Sequence, residues 1–257
     1  MLGMSSRSMD VCDSPGDPDS LGCKIDFALE RLPKWMCGEK DRHFIRNVSK
    51  HYWLNVATGS SITAYPSTGE ISSGGRKYIF AMDEFSKYAR GQDEAAFIAT
   101  EPATDSRFII STYNGVDNSY YRLMHEESNA KKFYFNWEDN PSRNTDLFNI
   151  HEQSRLLCIP GTKEALGNQE YQEHFFKEDY PKLVKRGYNT KSPTKLWSPW
   201  LVSRCLRPRM TPRAVAQEYE QDPTGSSGLF FNEPMIADLL KHAKPPLITG
   251  IVNIDAE

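Results

Sequence analysis

The chain has 257 residues, of which 39% are hydrophobic and 25% charged. These values are ordinary for one large folded domain, or for one domain with a smaller appendage, and they argue against wholesale disorder. The formal net charge of −3 excludes a protein that is basic over its whole surface. The five cysteines include no C-x-x-C pair, and no apolar run approaches the roughly 18 residues of a membrane span. The sequence therefore predicts a soluble intracellular protein with reduced thiols.

The amino-terminal part of the chain begins with a short apolar piece, residues 2–6, and continues into a turn-rich loop. In that loop Asp17-Pro18 offers an N-cap and a first helical position. Apolar residues then recur at helical spacing from Ile25 to Met36. This pattern predicts an amphipathic helix that packs on a sheet.

The next stretch has the pattern of strands. Residues 51–65 alternate around a Thr-Gly-Ser-Ser turn, which predicts a β-hairpin. Residues 72–77 are rich in glycine, but they precede an apolar run instead of a helix. A phosphate-binding loop needs a strand before it and a helix after it, so this stretch is predicted to be a plain loop.

Two apolar runs in the middle of the chain end in polar side chains. Residues 79–82 lead into Asp83 and Glu84, and residues 107–110 lead into the sequence STYNG at residues 111–115. An apolar run that ends in carboxylates is typical of a buried parallel strand that delivers acid groups to the carboxyl edge of a sheet. Open α/β folds bind their ligands at that edge.

Further elements extend this pattern. Residues 91–100 and 118–127 fit helices, and residues 131–137 alternate enough for one more strand. A strand-helix-strand-helix-strand series implies parallel pairing through right-handed crossovers. The sequence therefore predicts an α/β fold with a mainly parallel sheet over residues 1–143.

The last part of the chain has a different, mostly helical pattern. Helices are predicted at residues 171–186, 211–219 and 235–242. We expect residues 144–223 to form a small linker or lid subdomain. Residues 224–257 are expected to form a hinge and the start of a further region.

Five motifs, in this order along the chain, resemble the large terminase subunit of tailed bacteriophages. They lie at residues 76–85, 111–115, 137–141, 198–200 and 216–226, and the similarity covers about residues 13–231. The resemblance implies an incomplete P-loop ATPase of the additional-strand type. It also implies a motor that uses ATP to move double-stranded DNA into a viral capsid, in the cytoplasm of a bacterial host.

The resemblance gives the two polar strand ends specific roles. Asp83 would hold Mg²⁺ through water, and Glu84 would polarise the water that attacks ATP. Phosphoryl transfer depends mainly on positioning and charge neutralisation, so one carboxylate can serve the metal while its neighbour orients the nucleophile. Ser111, Thr112 and Asn114 would contact the γ-phosphate and couple its hydrolysis to movement of a neighbouring subdomain.

Each of these roles has a plainer alternative. Asp83 and Glu84 also fit a solvated acidic pair that closes a strand, and Asn114 followed by glycine also fits an ordinary turn. Arg76, beside two glycines, fits either an arginine finger or a surface anchor. The family usually has proline where this sequence has Tyr113.

The family's phosphate loop, with its Gly-Lys-Ser or Gly-Lys-Thr, does not occur in these 257 residues. We therefore expect an internal portion of a terminase that lacks both this loop and the nuclease, and that binds ATP and Mg²⁺ poorly by itself. The partners implied by the resemblance are double-stranded DNA, the portal protein, the small terminase subunit and, in the full-length motor, further copies of the same subunit. A membrane is not among them.

Two other hypotheses stay open. The chain could be a remnant of another additional-strand ATPase, such as a helicase. It could also be a non-catalytic docking or DNA-binding module, because lysines and arginines concentrate near its carboxyl end. These cations are Lys182, Lys185, Arg186, Lys191, Lys195, Arg204, Arg207, Arg209 and Arg213.

Overall fold

The computed structural model describes residues 1–33, 36, 44–68, 71, 75–126, 129–223 and 225. Its central feature is a six-stranded sheet in the order β2-β3-β4-β1-β5-β6. The strands are β1 (Leu2–Ser5), β2 (Phe44–Asn47), β3 (Tyr52–Asn55), β4 (Ser61–Tyr65), β5 (Ile79–Asp83) and β6 (Arg107–Ile110). Strands β4, β1, β5 and β6 are parallel, and β2 and β3 add antiparallel pairs at one end. The predicted α/β class with a mainly parallel sheet is confirmed.

Strand β1 lies in the middle of this sheet, between β4 and β5. Its Gly3 pairs with Phe80 of β5, and a Cβ atom on Gly3 would lie 2.5 Å from the Phe80 ring. Glycine therefore lets the large aromatic ring cover the centre of the sheet. This position also brings the residues that follow β1 next to those that follow β5.

Helices cover the two faces of the sheet unequally. Helices α1 (Met9–Cys12) and α2 (Leu21–Arg31) lie on the face that carries Met4 and Trp53, and α3 (Gln92–Thr100) and α4 (Ser119–His125) lie on the opposite face. The first face is bare at β6, where Phe108 and Ile110 are 59% and 60% exposed. Within the described residues, β6 pairs with β5 alone, so its outer edge is free.

Helix α2 begins later and ends earlier than predicted. Ser20, instead of Asp17, is its N-cap, and the Ser20 hydroxyl accepts a hydrogen bond from the Cys23 amide at 3.2 Å. The Asp17 carboxylate closes a local turn by accepting from the Asp19 amide. The helix ends before Pro33, because a residue that precedes proline favours extended backbone, as Leu32 does here.

The hairpin predicted at residues 51–65 is confirmed as β3 and β4, and β2 extends it. The strand predicted at residues 131–137 is wrong. Residues 131–136 have no regular secondary structure, and a 3₁₀ turn, Trp137–Asp139, follows them. Phe133 and Phe135 point into solvent, so the alternating apolar residues of this stretch do not form the buried face of a strand.

A second core lies in the carboxyl-terminal part of the described chain, and this part is called here the C-terminal region (residues 144–223). It contains a hairpin that the sequence did not predict, followed by four α-helices and two π-helical segments, and Phe148, Trp197 and Leu183 are fully buried among them. The elements are β7 (Asn149–His151), β8 (Leu156–Cys158), α5 (Gln169–His174), α6 (Tyr180–Lys185), α7 (Pro199–Cys205) and α8 (Pro212–Val215), with π-helical turns at Phe175–Asp179 and Ala216–Glu220. The helix expected at residues 235–242 and most of the expected hinge at residues 224–257 lie outside the described residues.

None of the helices in the described part of the chain is long and apolar enough to cross a membrane.

Candidate functional site

Three neighbouring parallel strands, β1, β5 and β6, end at the same edge of the sheet. Ser6 and Arg7 follow β1, Glu84 follows β5, and Ser111 follows β6. The residues of each strand that lead up to this edge are mostly apolar, and polar side chains begin at the edge itself. This edge therefore brings together most of the side chains that the sequence pointed to, and also side chains that it did not.

Asp83 is the last residue of β5, and its carboxylate is half-buried. The Ser6 hydroxyl donates a hydrogen bond to Oδ2 at 3.3 Å. Burial raises the pKa of the Asp83 carboxyl above its ordinary value of 3.8, and the neighbouring charge of Glu84 raises it further. The hydrogen bond from Ser6 opposes both effects. Asp83 is thus a carboxylate whose negative charge is incompletely compensated by the protein.

Glu84 has a left-handed backbone, with φ 49° and ψ 37°. This conformation costs a non-glycine residue about 1–2 kcal/mol. It turns the chain sharply after β5, and Arg7 Nε lies 3.0 Å from Oε2 while Lys87 Nζ donates to Oε1 at 3.2 Å. Oε2 is buried and accepts no hydrogen bond of good geometry, so the contact with Arg7 is an ion pair only.

Ser86 joins the ends of β5 and β6. Its amide donates to Ser111 Oγ at 3.0 Å, and its hydroxyl donates to the Thr112 carbonyl at 2.7 Å. The Asn114 side-chain amide donates to the Ser86 carbonyl at 3.2 Å. Ser111 and Asn114 therefore hold the turn after β5 in place, and this network fixes the position of Glu84.

Thr112 differs from its neighbours in the STYNG sequence. Its Oγ1 atom is buried and has no hydrogen-bond partner. Buried polar atoms are nearly always paired, so this hydroxyl is free to bond to a ligand at the sheet edge. Tyr113 is buried, and its hydroxyl is hydrogen-bonded to His125 Nε2 at 3.1 Å.

The structure brings Asp83, Glu84, Ser111, Thr112 and Asn114 to one edge, but it places Arg76 elsewhere. Arg76 is exposed and precedes β5, at the amino-terminal end of the strand. Five strand residues at about 3.3 Å each separate it from Glu84 by more than roughly 15 Å. Within one chain, Arg76 is therefore out of reach of the carboxylates.

Sequence reasoning missed the two cations that contact Glu84. Arg7 follows a very short apolar run, and only the central position of β1 brings it beside β5. Lys87 follows Glu84 by three residues, a spacing that puts the two side chains together when a helical turn begins there. The polar Ser-Ser-Arg sequence directly after residues 2–4 was the available signal for Arg7.

A pocket of about 270 Å³ opens beside these side chains, between the ends of β1 and β5 and the start of α2. Arg7, Lys24, Asp83 and Glu84 lie in its wall. No cluster of three or more His, Cys, Asp or Glu side chains that could bind a metal occurs in the described ranges. A carboxylate pair nevertheless fits Mg²⁺, which keeps most of its waters and is often bound through one or two carboxylates together with substrate phosphates. The under-compensated charge of Asp83 is consistent with this ion, whereas Glu84 Oε2 already lies 3.0 Å from Arg7 Nε.

Comparison with solved structures finds distant structural likenesses, among them that of a phage large terminase. The structure of a large terminase from a thermophilic bacteriophage aligns with a TM-score of 0.38 and 12% sequence identity, over 60% of this chain and 35% of that chain. This chain thus matches about a third of the length of that protein. No family model matches the sequence. No curated protein matches it either.

Proposed function

We propose that this chain is part of the ATPase of a viral DNA-packaging motor, with Glu84 as the residue that orients the attacking water and Asp83 as the Mg²⁺ ligand. The observation that carries the proposal is the edge formed by β1, β5 and β6. There, an adjacent carboxylate pair ends one parallel strand, and Ser86, which follows the pair, is hydrogen-bonded to the polar residues after the next strand. This is the placement that nucleotide hydrolysis needs, because one carboxylate must serve the metal and the other the nucleophile.

The phosphate-binding loop would come from residues outside those described. The sequence has no Gly-Lys-Ser or Gly-Lys-Thr. The free outer edge of β6, with Phe108 and Ile110 exposed beside it, leaves room for a further parallel strand. A loop that followed such a strand would reach the same sheet edge as Thr112 and Glu84. We infer an additional-strand arrangement, in which β6 lies between the acidic strand and the phosphate-binding strand.

In this proposal the protein's own residues position the reactants. Mg²⁺ bound at Asp83 would neutralise phosphate charge. Glu84 would accept a hydrogen bond from the attacking water at Oε2, which accepts no hydrogen bond from the protein, and Thr112 Oγ1 would donate to a phosphate oxygen. Arg7, close to Glu84 in the same pocket wall, is better placed than Arg76 to act on a phosphate in its own chain. Arg76 would serve only a neighbouring copy.

The test needs the phosphate-binding segment. The coding sequence upstream of Met1, or a neighbouring gene, is searched for a glycine-rich loop that ends in Gly-Lys-Ser or Gly-Lys-Thr, and that segment is produced together with this chain. We expect Mg²⁺-dependent ATP turnover, which Glu84→Gln lowers at least about 100-fold while ATP binding is retained. Glu101→Gln, an exposed change at the C-cap directly after α3, is the matched control. Undiminished turnover in Glu84→Gln, or the absence of any such loop, would reject the proposal.

Double-stranded DNA, the portal protein and the small terminase subunit are the proposed partners, and the full-length motor is proposed to be a homo-oligomer. One observation favours a DNA-binding role for this chain even without hydrolysis. Arg186 Nη1 donates to the carbonyls of Cys205 and Arg207, both at 2.8 Å, which joins the ends of α6 and α7. Exposed cations surround this junction, namely Lys182, Lys185, Arg207 and Arg209.

This second candidate function has its own test. Retention of duplex DNA by the chain alone should fall steeply as salt rises, because phosphate contacts release counterions. The double change Arg207→Gln with Arg209→Gln should abolish retention. The same charge loss at exposed Lys131 and partly exposed Lys132, which lie outside the C-terminal region, should spare it. Equal losses in the two variants would mean nonspecific charge attraction instead of a DNA-binding surface.

A further inference from the structure

The Lys87 ammonium lies between two carboxylates that are far apart in sequence. Its Nζ donates to Glu84 Oε1 and to Glu218 Oε1, each at 3.2 Å. The Lys87 side chain is only 18% exposed. A lysine ammonium has three donors and no acceptor, so it can satisfy both carboxylates at once. One side chain thus connects the candidate catalytic residue with the C-terminal region.

The backbone on the Lys87 side of this contact is held firmly. Lys87 ends a short 3₁₀ turn, Phe85–Lys87, in which Phe85 is fully buried and Ser86 is nearly so. Ser86 is bonded to the end of β6, and Glu84 precedes the turn in its left-handed conformation. The ammonium can therefore move only through its own side-chain torsions.

The Glu218 side of the contact belongs to the π-helical turn Ala216–Glu220. Three neighbouring contacts hold this turn. The Tyr219 ring packs on Trp200 at 5.3 Å between centroids, Glu220 pairs with Lys195 at 2.6 Å, and Gln221 Nε2 donates to the Phe135 carbonyl at 2.6 Å. A π-helical turn widens the helix and redirects its side chains, and such turns are frequent at functional sites. Here the turn directs Glu218 towards the sheet.

Resting on the ATPase function proposed above, we propose that Lys87 is a positioning residue that makes the freedom of the Glu84 carboxylate depend on the contact between the C-terminal region and the sheet. With Glu218 in place, the ammonium is shared and holds Glu84 with part of its charge. When Glu218 withdraws, the partly buried ammonium has Glu84 as its remaining partner in this contact and binds it more firmly. Movement of the C-terminal region thereby changes how readily Glu84 can bind water.

The test measures whether Glu84 and Glu218 are energetically coupled and whether Lys87 carries the coupling. Urea unfolding without nucleotide is followed for Glu84→Gln, Glu218→Gln and the double variant, first with Lys87 present and then with Lys87→Met. With Lys87 present, losing both carboxylates leaves the ammonium without an anion. Each variant raises the unfolding equilibrium constant by some factor relative to the unmodified protein. The factor for the double variant should therefore exceed the product of the two single factors by about twofold or more. With Lys87→Met the part of this excess that comes from sharing the ammonium is lost, and only the smaller excess that arises from repulsion between the two carboxylates should remain.

Two further variants separate positioning from simple packing. Lys87→Arg keeps the charge and should keep the full excess, whereas Lys87→Met keeps the apolar stem and should reduce it. Glu178→Gln, at an exposed pair with Lys182, should combine with Glu84→Gln without any excess. Independent effects of Glu84 and Glu218, or an equal excess with Lys87→Met, would overturn the proposal. Because no nucleotide is used, coupling without ATP turnover would reject the ATPase function alone, and Glu84-dependent turnover without coupling would reject the role of Lys87 alone.

Discussion

Arg7 and Glu84 form an ion pair across two neighbouring parallel strands, with 3.0 Å between Nε and Oε2. The register of β1 and β5 pairs Ser5 with Met82, so each of the two side chains lies two residues beyond the last pair. The residues between them also meet, since Ser6 bonds to Asp83. The residues that follow β1 therefore orient the carboxylate pair as much as β5 does.

The left-handed backbone of Glu84 predicts an unusual order of stability among its variants. Glu84→Gly and Glu84→Ala both lose the contacts with Arg7 and Lys87, and they differ in the strain that remains. Glycine adopts this conformation freely, so we expect the glycine variant to be more stable by about 1 kcal/mol in urea unfolding. In the middle of β5, Ala81→Gly should instead destabilise by roughly 0.5–1 kcal/mol. An alanine variant at position 84 that equals or exceeds the glycine variant would show that Glu84 is unstrained in solution.

The raised pKa of Asp83 predicts how stability changes with pH. Because the folded state binds this proton more tightly than the unfolded state, the stabilisation from the neutral carboxyl is complete below the ordinary value of 3.8 and is lost as pH rises through the folded value. Asp83→Asn has no charge to bury. Its stability relative to the unmodified protein should therefore increase between pH 3 and pH 7, as measured by urea unfolding at each pH. A difference that stays constant over this range would contradict the burial of Asp83.

Local sequence patterns predicted much of the sheet and part of the site. The two apolar runs that end in Asp83 and in Ser111 became β5 and β6, because a buried parallel strand needs a continuous apolar run. The hairpin at residues 51–65 also followed from alternation and a glycine turn. These features depend on neighbouring residues only, so the sequence alone carries them.

The features that the sequence did not predict depend on distant pairing. The central place of β1 follows from its contacts with β4 and β5, about sixty and eighty residues away, and no local pattern reports such contacts. For the same reason Arg7 was not considered as a neighbour of Glu84. The error at residues 131–137 has a related cause. Alternating apolar residues favour a strand only when the segment lies against another strand and buries one of its faces, and Phe135 remains exposed.

A buried carboxylate between α1 and α2 binds two residues of the β2–β3 segment. The Asp13 side chain is fully buried and binds both the Arg46 guanidinium and His51 Nδ1, the latter at 2.8 Å. Arg46→Met would leave this carboxylate with His51 alone, and we expect a loss of about 3 kcal/mol in the free energy of unfolding. Arg90→Met is the control, because its ion pair with Asp117 is almost fully exposed and should be worth less than about 0.5 kcal/mol. Similar losses in the two variants would mean that Asp13 is solvated.

The close approach of α2 to this carboxylate gives a prediction of opposite sign to the usual helix rule. Gly22 lies in α2, where alanine normally stabilises by about 1 kcal/mol. A Cβ atom at this position would collide with the Asp13 carboxylate and lie 3.1 Å from the Trp53 ring. Since Arg46 and His51 hold Asp13 in place, Gly22→Ala should destabilise by about 1–3 kcal/mol in urea unfolding. Gly167→Ala has open space around its Cβ and should be neutral or slightly stabilising. A stabilising Gly22→Ala would show that Asp13 can move aside, and the Arg46→Met variant should then be mild as well.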